Sequence, residues 1–391
     1  MKETIACFVK TYLPISETFI YEEIKNLRGF NVIILTKKLI NVNLFPHKNI
    51  LSESTLPKRR IEKGLRRNLF TEALLINRAK LVHAHFGWGG MMILPTCKKL
   101  NLPLLTTFHG IDVSVFARDL IYRLKIKKLF REGSAFLVRS DKMKADVVKL
   151  GCPPEKIVLL YGGIDVDKFR FRKRRPGGRG VKILMCGRFV EKKGFEYGIR
   201  AFAKVHRIHK DITLTLVGDG KLKKRMENLV RSLNLSDSVQ FLGMLPHREV
   251  QRKMEESDIF LSPNLTARNG DREGIPNTIK EAMATGLPVV STYHAGIPEL
   301  VVDEKTGFLV PEKDVDALAD RLNYLITHPE IWDKMGWQGR KIVEEKFNLF
   351  TQVKKLEEIY KSLLNLNSAF LLLLLSLSVF LCSTSIFDAL F

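Results

Sequence analysis

Between Asp271 and Pro288 the chain reads DREGIPNTIKEAMATGLP, with seven residues separating two carboxylates, Glu273 and Glu281. Gly274-Ile275-Pro276 reads as a turn between them. Pro276 fits the first position of a helix, where no backbone N–H is needed, and Asn277 follows it. Gly274 lets a ligand approach the backbone closely. A helix starting here turns free N–H groups and the positive end of its dipole toward an anion. Carboxylates beside that anion can grip hydroxyls, and phosphate plus hydroxyls describes a nucleotide-sugar. Taken alone, Glu273 also reads as a favourable charge at a helix start and Glu281 as an exposed helix carboxylate.

Other residues invite the same chemistry. Gly187-Arg188 follows an apolar run, and Lys193-Gly194 comes five residues after the arginine. A pyrophosphate needs at least two cations reaching it from one side, and arginine offers a planar fork where lysine offers a point charge. Gly218 and Gly220 flank Asp219 after another run, as in a strand-to-helix turn. His109 ends an apolar run beside Gly110, which suits exposure in a cleft. Asp112 either orients that histidine or caps the next helix. Asp165/Asp167 and Asp314/Asp316 form Asp-x-Asp pairs, but neither has further ligands nearby, so no metal is expected.

These residues need rigid elements to converge. Short Val/Ile/Leu runs alternate with helical patterns along most of the 391 residues. Such runs read as buried parallel strands in βαβ units. They include Thr4–Val9, Val32–Thr36, Leu81–His83, Leu104–Thr107, Ala135–Val138, Lys156–Leu160, Lys182–Met185, Thr213–Val217, Val239–Leu242, Ile259–Ser262 and Pro288–Ser291. The length favours two domains. The clearest break is FRFRKRRPGGRG at 169–180, which is basic and lacks an apolar face. The expected division is a first domain at 1–168, a linker at 169–180 and a second domain at 181–345. A C-terminal helix at 346–365 and an apolar tail at 366–391 complete it. Ligands of such sheets bind beyond the carboxyl ends of the strands, so two facing domains make a cleft.

Composition narrows the partners. The formal charge of +22 favours an anionic one. Nucleic acid is not favoured, because no zinc-finger spacing, RNA-recognition signature or interleaving of aromatics with the basic runs is present. Five scattered cysteines, none in a C-x-x-C pair, fit a reducing compartment. From Ser362 to Phe387 no residue is charged, and Ala369–Cys382 is nearly all apolar, a candidate membrane contact or anchor. Lysines lie only on its N-terminal side, which keeps the body cytoplasmic at the inner face. Lys58–Phe70 and Arg118–Arg131 are basic and amphipathic, like helices that lie on membranes and like surface helices packed on a sheet.

The motifs also occur in a known order. Ser-Glu-Thr-Phe-Ile at 16–20, Thr-Phe-His-Gly-Ile-Asp at 107–112 and Tyr-Gly-Gly-Ile-Asp at 161–165 come first. Gly-Arg at 187–188, Lys-Lys-Gly at 192–194, Gly-Asp-Gly at 218–220 and the Glu-x7-Glu block follow. Over roughly residues 5–360 the chain resembles the family-4 retaining glycosyltransferases of the GT-B fold, nearest the exopolysaccharide (colanic-acid) branch. The resemblance implies an α/β fold of two Rossmann-like domains facing across a cleft, with the C-terminal helix crossing back to the N-terminal domain. It implies sugar transfer from a UDP- or GDP-linked donor, with no cofactor, to a glycan or polyprenyl-linked saccharide.

By resemblance, Arg188 and Lys193 bind the pyrophosphate, while Glu273 and His109 orient the sugar. Glu281 accepts from the ribose, and Gly187, Gly218, Gly220, Gly274, Ile275, Pro276 and Asn277 line the donor site. The common family form has a glycine-rich loop after the first strand. Leu13-Pro14-Ile15-Ser16 replaces it here, so acceptor-side roles for Ser16, Glu17 and Asp112 rest on position alone. Rival readings are a GT-B epimerase or phosphorylase and an inactive nucleotide-sugar-binding scaffold.

Overall fold

The computed structural model describes residues 2–14, 17–55, 69–174 and 180–365. Ser16, most of the basic stretch 58–70, the centre of the 169–180 segment and the tail 366–391 lie outside the described residues.

Two parallel sheets form the frame. The first has order β3-β2-β1-β4-β5-β6-β7, made of β1 (Thr4–Tyr12), β2 (Asn31–Leu39), β3 (Ile50–Ser52), β4 (Ala79–His85), β5 (Leu104–Thr107), β6 (Ala135–Val138) and β7 (Ile157–Leu159). The second has order β10-β9-β8-β11-β12-β13, made of β8 (Lys182–Cys186), β9 (Thr213–Val217), β10 (Val239–Gly243), β11 (Ile259–Ser262), β12 (Val289–Thr292) and β13 (Gly307–Val310). Strands β5, β6, β11 and β12 are buried along their length, as sheets covered on both faces require. The helix Phe195–Ile208 shows how one face is covered: it buries Phe195, Ile199, Phe202 and Val205 at helical spacing.

Each sheet reverses its winding once, between β1 and β4 and between β8 and β11. Those switch points open crevices at the carboxyl ends of the strands. The first crevice is flanked by Leu13-Pro14 and Phe86, the second by Gly187-Arg188 and the loop after Ser262.

The chain crosses between domains near Ile164 and returns at Asn348, where the two segments form a bridge. Residues 349–365 are helical and lie on the first domain. Leu349, Val353, Leu356 and Tyr360 pack with Ile5, Leu27, Phe30, Leu81 and Leu105. Glu357 accepts from the Arg28 and Gly29 amides at 2.7 and 2.6 Å.

Candidate active site

The wall on the second domain begins where β8 ends. Gly187 has φ +155° and lets the chain turn sharply, leaving the Arg188 side chain exposed. Gly218 and Gly220 are required by close approach: a Cβ at Gly218 would strike the Gly187 carbonyl, and one at Gly220 would sit 2.7 Å from the Phe189 oxygen. The 187–189 and 218–220 loops are thus one packed unit. Asp219 is exposed and accepts from the Gly220 amide.

A short 3-10 turn at Glu191–Lys193, ended by left-handed Gly194, aims two ammonium groups at one carboxylate. Lys193 Nζ lies 3.3 Å from Glu273 Oε2. Lys192 Nζ lies 3.4 Å from Glu273 Oε1 and 3.0 Å from Asp271 Oδ1. Burial pushes the Glu273 carboxyl up, but Lys193, Lys192 and Arg188 outweigh it and hold the group down at about 2. Glu273 is therefore an anion throughout the physiological range.

Its backbone is braced from behind. The Glu273 amide donates to His294 Nε2 at 3.1 Å, and His294 Nδ1 meets Glu312 Oε1. The Thr266 amide pins that carboxylate at 2.8 Å. The Gly296 amide donates to the Gly274 carbonyl, so the 294–296 turn carries the 273–275 loop.

The helix runs Asn277–Ala284, and Pro276 is its N-cap, with ψ 130°, rather than its first helical residue. The proline carbonyl accepts from the Ile279 and Lys280 amides. Asn277 Oδ1 accepts from the buried Lys280, whose ammonium also reaches the Gly162 carbonyl at 2.6 Å. Burial and then Arg139 lower that lysine to about 7. Ile275 is half-buried against Gly296. Glu281 lies 3.4 Å from His247 Nε2. The Cys186 thiol is pushed up to about 12 by burial and then Glu281, while Lys193 opposes, which places both charges at the end of β8.

The opposite wall comes from β4 and β5. His109 follows β5, with Phe19 and Phe86 rings 5.0 and 4.6 Å from its own. Burial, then Arg139 and His83, hold it well below the ordinary histidine range, so the ring is neutral. A Cβ at left-handed Gly110 would face the Arg272 carbonyl at 3.6 Å. His109-Gly110 and the Glu273 loop thus oppose each other across the cleft.

Asp112 is fully buried behind His109. Its oxygens accept from the His109 and Gly87 amides at 3.0 and 2.9 Å, tying the His109 loop to the start of the helix Gly87–Lys99. Burial raises it to about 6 against those hydrogen bonds. Burial also raises Glu17 to about 7, at the start of the helix Thr18–Asn26. Among the described residues no cluster of three His, Cys, Asp or Glu is placed to hold a metal ion.

Sequence reading quoted Lys-Lys-Gly at 192–194 but gave Lys192 no role, and it missed His294 and Glu312. Only the run Lys192-Lys193 carried a visible signal. It also missed His85, although His-Ala-His at a strand end places both rings on one side by the two-residue period.

Comparison with known proteins follows the same outline. Residues 18–168 match the sequence profile "Glycosyltransferase Family 4", and residues 165–342 match "Glycosyl transferases group 1". The chain is 38% identical over 271 residues to WcaL of Salmonella typhimurium, described as a colanic acid biosynthesis glycosyltransferase. That match covers 68% of this chain and 66% of the relative, just under two thirds of its length. The amylovoran biosynthesis glycosyltransferase AmsK of Erwinia amylovora is 35% identical over 289 residues, covering 73% and 70%. The crystal structure of Anabaena HepE in complex with UDP shares the fold, with a TM-score of 0.79 at 18% identity, covering 92% of this chain and 100% of that one.

Proposed function

The chain belongs to the family-4 glycosyltransferases of the GT-B fold, and we propose that it transfers a sugar from a nucleotide-sugar to a saccharide acceptor in exopolysaccharide assembly, with retention at the anomeric carbon. One arrangement carries this reading: Glu273, paired with Lys193 and Lys192 at 3.3 and 3.4 Å, sits on the loop that faces His109-Gly110 across the cleft. Residues 1–168 are taken as the acceptor side and 181–345 as the donor side.

In this scheme Arg188, Lys193 and the amides at the start of the Asn277 helix stabilise charge growing on the leaving diphosphate. That stabilisation needs no metal. Glu273 has no proton to give, so it accepts hydrogen bonds from sugar hydroxyls. Glu281 accepts from the ribose. The bond from the anomeric carbon to the diphosphate oxygen breaks as the acceptor oxygen arrives on the same face. The acceptor's proton passes to the departing diphosphate. Glu17 and Asp112 border the acceptor side, as does Ser16 by its place in the sequence.

The acceptor is proposed to be polyprenyl-linked and met at the inner membrane face. The helix Leu120–Glu132 buries Tyr122, Ile126, Leu129 and Phe130, yet leaves Leu120, Ile121 and Leu124 more than 60% exposed. Arg123, Lys125, Lys127 and Lys128 surround that ridge, an arrangement suited to anionic lipid. Among the described residues no helix is long and apolar enough to cross a membrane.

The test is a thermal-shift screen of UDP- and GDP-sugars, then transfer into lipid extract with and without EDTA. A product of unchanged anomeric configuration, formed equally with chelator, is expected. Epimerised sugar from donor alone, or strict dependence on metal, would overturn the proposal.

A further inference from the structure

His85 ends β4 and is buried beside the cleft. Its Nδ1 lies 3.1 Å from His109 Nε2, and the two rings stack at 5.3 Å and 20°. Its Nε2 is sealed from solvent and has no hydrogen-bond partner. Behind it, the His83 ring lies 4.5 Å away, tilted by 32°, and is fixed at both nitrogens, to Tyr360 Oη at 2.7 Å and Thr107 Oγ1 at 2.6 Å. The His85 ring therefore has a defined seat.

One proton joins His85 to His109, and it can sit in two ways. If His109 donates from Nε2, neutral His85 must carry its own proton on Nε2. That buries an N–H with nothing to accept it. If His85 donates from Nδ1, its Nε2 is a bare lone pair and His109 carries its proton on Nδ1. An orphaned buried N–H is rarer and more costly than an under-used acceptor. Burial first, then neighbouring imidazoles and Arg139, keep His85 neutral, so a doubly protonated ring does not compete.

We infer that His85 is a positioning residue that sets the tautomer of His109, so that His109 offers an Nδ1–H donor to its ligand. The class of ligand rests on the proposed glycosyl transfer: a sugar or phosphate oxygen with a free lone pair, such as a hydroxyl, an acetamido carbonyl or a carboxylate. An ammonium at that place on the sugar is disfavoured. The tautomer itself does not depend on the reaction.

The experiment is nitrogen-15 NMR of the labelled full chain without donor, reading long-range ring couplings. The wild type is expected to show His109 protonated at Nδ1 and bare at Nε2. His85→Leu should shift His109 toward the Nε2–H form, and His85→Asn, whose amide can still donate, should hold it at Nδ1–H. With a working donor, His85→Leu should lower kcat/KM about tenfold, the scale of one lost hydrogen bond, and His85→Asn should recover most of it. Wild-type His109 in the Nε2–H form overturns the inference without any variant. An unchanged tautomer in folded His85→Leu overturns it too. The Nδ1–H form in a chain that transfers no sugar upholds it and refutes the proposed reaction instead.

Discussion

Glu273→Gln separates two contributions that the same carboxylate makes. Its side chain is 15% exposed and Lys193's is 12%, so solvent screens the pair little. At 3.3 Å and an effective dielectric of about 20, their attraction is about 5 kcal/mol before desolvation. The net is smaller. A fall of the carboxyl from 4.5 to about 2 corresponds to about 3 kcal/mol of stability at neutral pH. Because the folded value lies below the unfolded one, that stability is full above about pH 4.5, about half gone near pH 3, and absent below about pH 2.

Denaturant unfolding of wild type and Glu273→Gln at several pH values reads this directly. The variant should be less stable by about 3 kcal/mol at pH 7, less whatever hydrogen bonding the amide keeps. The two curves should converge toward acid. Nucleoside diphosphate should then reverse the order of affinity, because Lys192 and Lys193 no longer face a competing carboxylate. Binding tighter by tenfold adds about 1.4 kcal/mol of ligand-induced stabilisation at saturation. Transfer should still collapse, since the amide is a poorer acceptor for sugar hydroxyls. Equal stability of the two proteins at pH 7, or a gap that persists at pH 3, would refute the ion-pair account. Weaker diphosphate binding would refute the competition.

Lys193→Ala and Arg188→Ala should each cost about 10²–10³ in transfer rate with unchanged circular dichroism, and near-normal turnover would count heavily against their assignment. Arg139 and Glu23 form a buried pair at 2.8 Å, so Arg139→Met should cost about 3–5 kcal/mol in denaturant unfolding, with the Glu23→Leu/Arg139→Met double variant recovering part of it. Ile121→Glu with Leu124→Glu should abolish sedimentation with anionic vesicles while leaving transfer to a soluble acceptor intact. Retained sedimentation would remove the Leu120–Glu132 helix from the membrane-facing surface.

The frame of the protein was legible where one local rule governs it. Leu104–Thr107 and Ile259–Ser262 are short continuous apolar runs, and the structure makes them strands with those bounds. Ile50–Ser52 escaped notice because a three-residue edge strand carries no period. Gly307–Val310 begins on a glycine that ordinarily marks a turn. Pro276 was displaced by one position because its ψ is extended, and nothing in the sequence fixes ψ at a proline. Arg188 and Lys193 stood out by their distance from a strand end. The bracing of Glu273 by His294 and Glu312 did not, since it joins residues 273, 294 and 312 through a β-strand and two loops. Likewise, the opposition of Gly110 to Arg272 depends on how two domains meet, which no local pattern encodes.

That meeting also fastens the site to both domains. Glu299 in the second domain accepts from the Asp141 and Lys142 amides at 2.9 and 3.3 Å, at the start of the helix Asp141–Lys149 in the first domain. Tyr161 Oη donates to the same carboxylate at 3.1 Å, and Arg272 bridges to Asp146 at 2.8 Å. A carboxylate at a helix N-terminus is well placed electrostatically. Arg272 adjoins Glu273, and Glu299 follows the turn whose Gly296 holds Gly274. The loop that carries the ionised carboxylate is therefore fastened on both sides to the opposite domain. A ligand that draws Lys193 away from Glu273 acts on that loop, and through it on the contacts holding the cleft together. Those contacts are charge-assisted, so a ligand that shifts the loop is expected to change how firmly the two domains hold together.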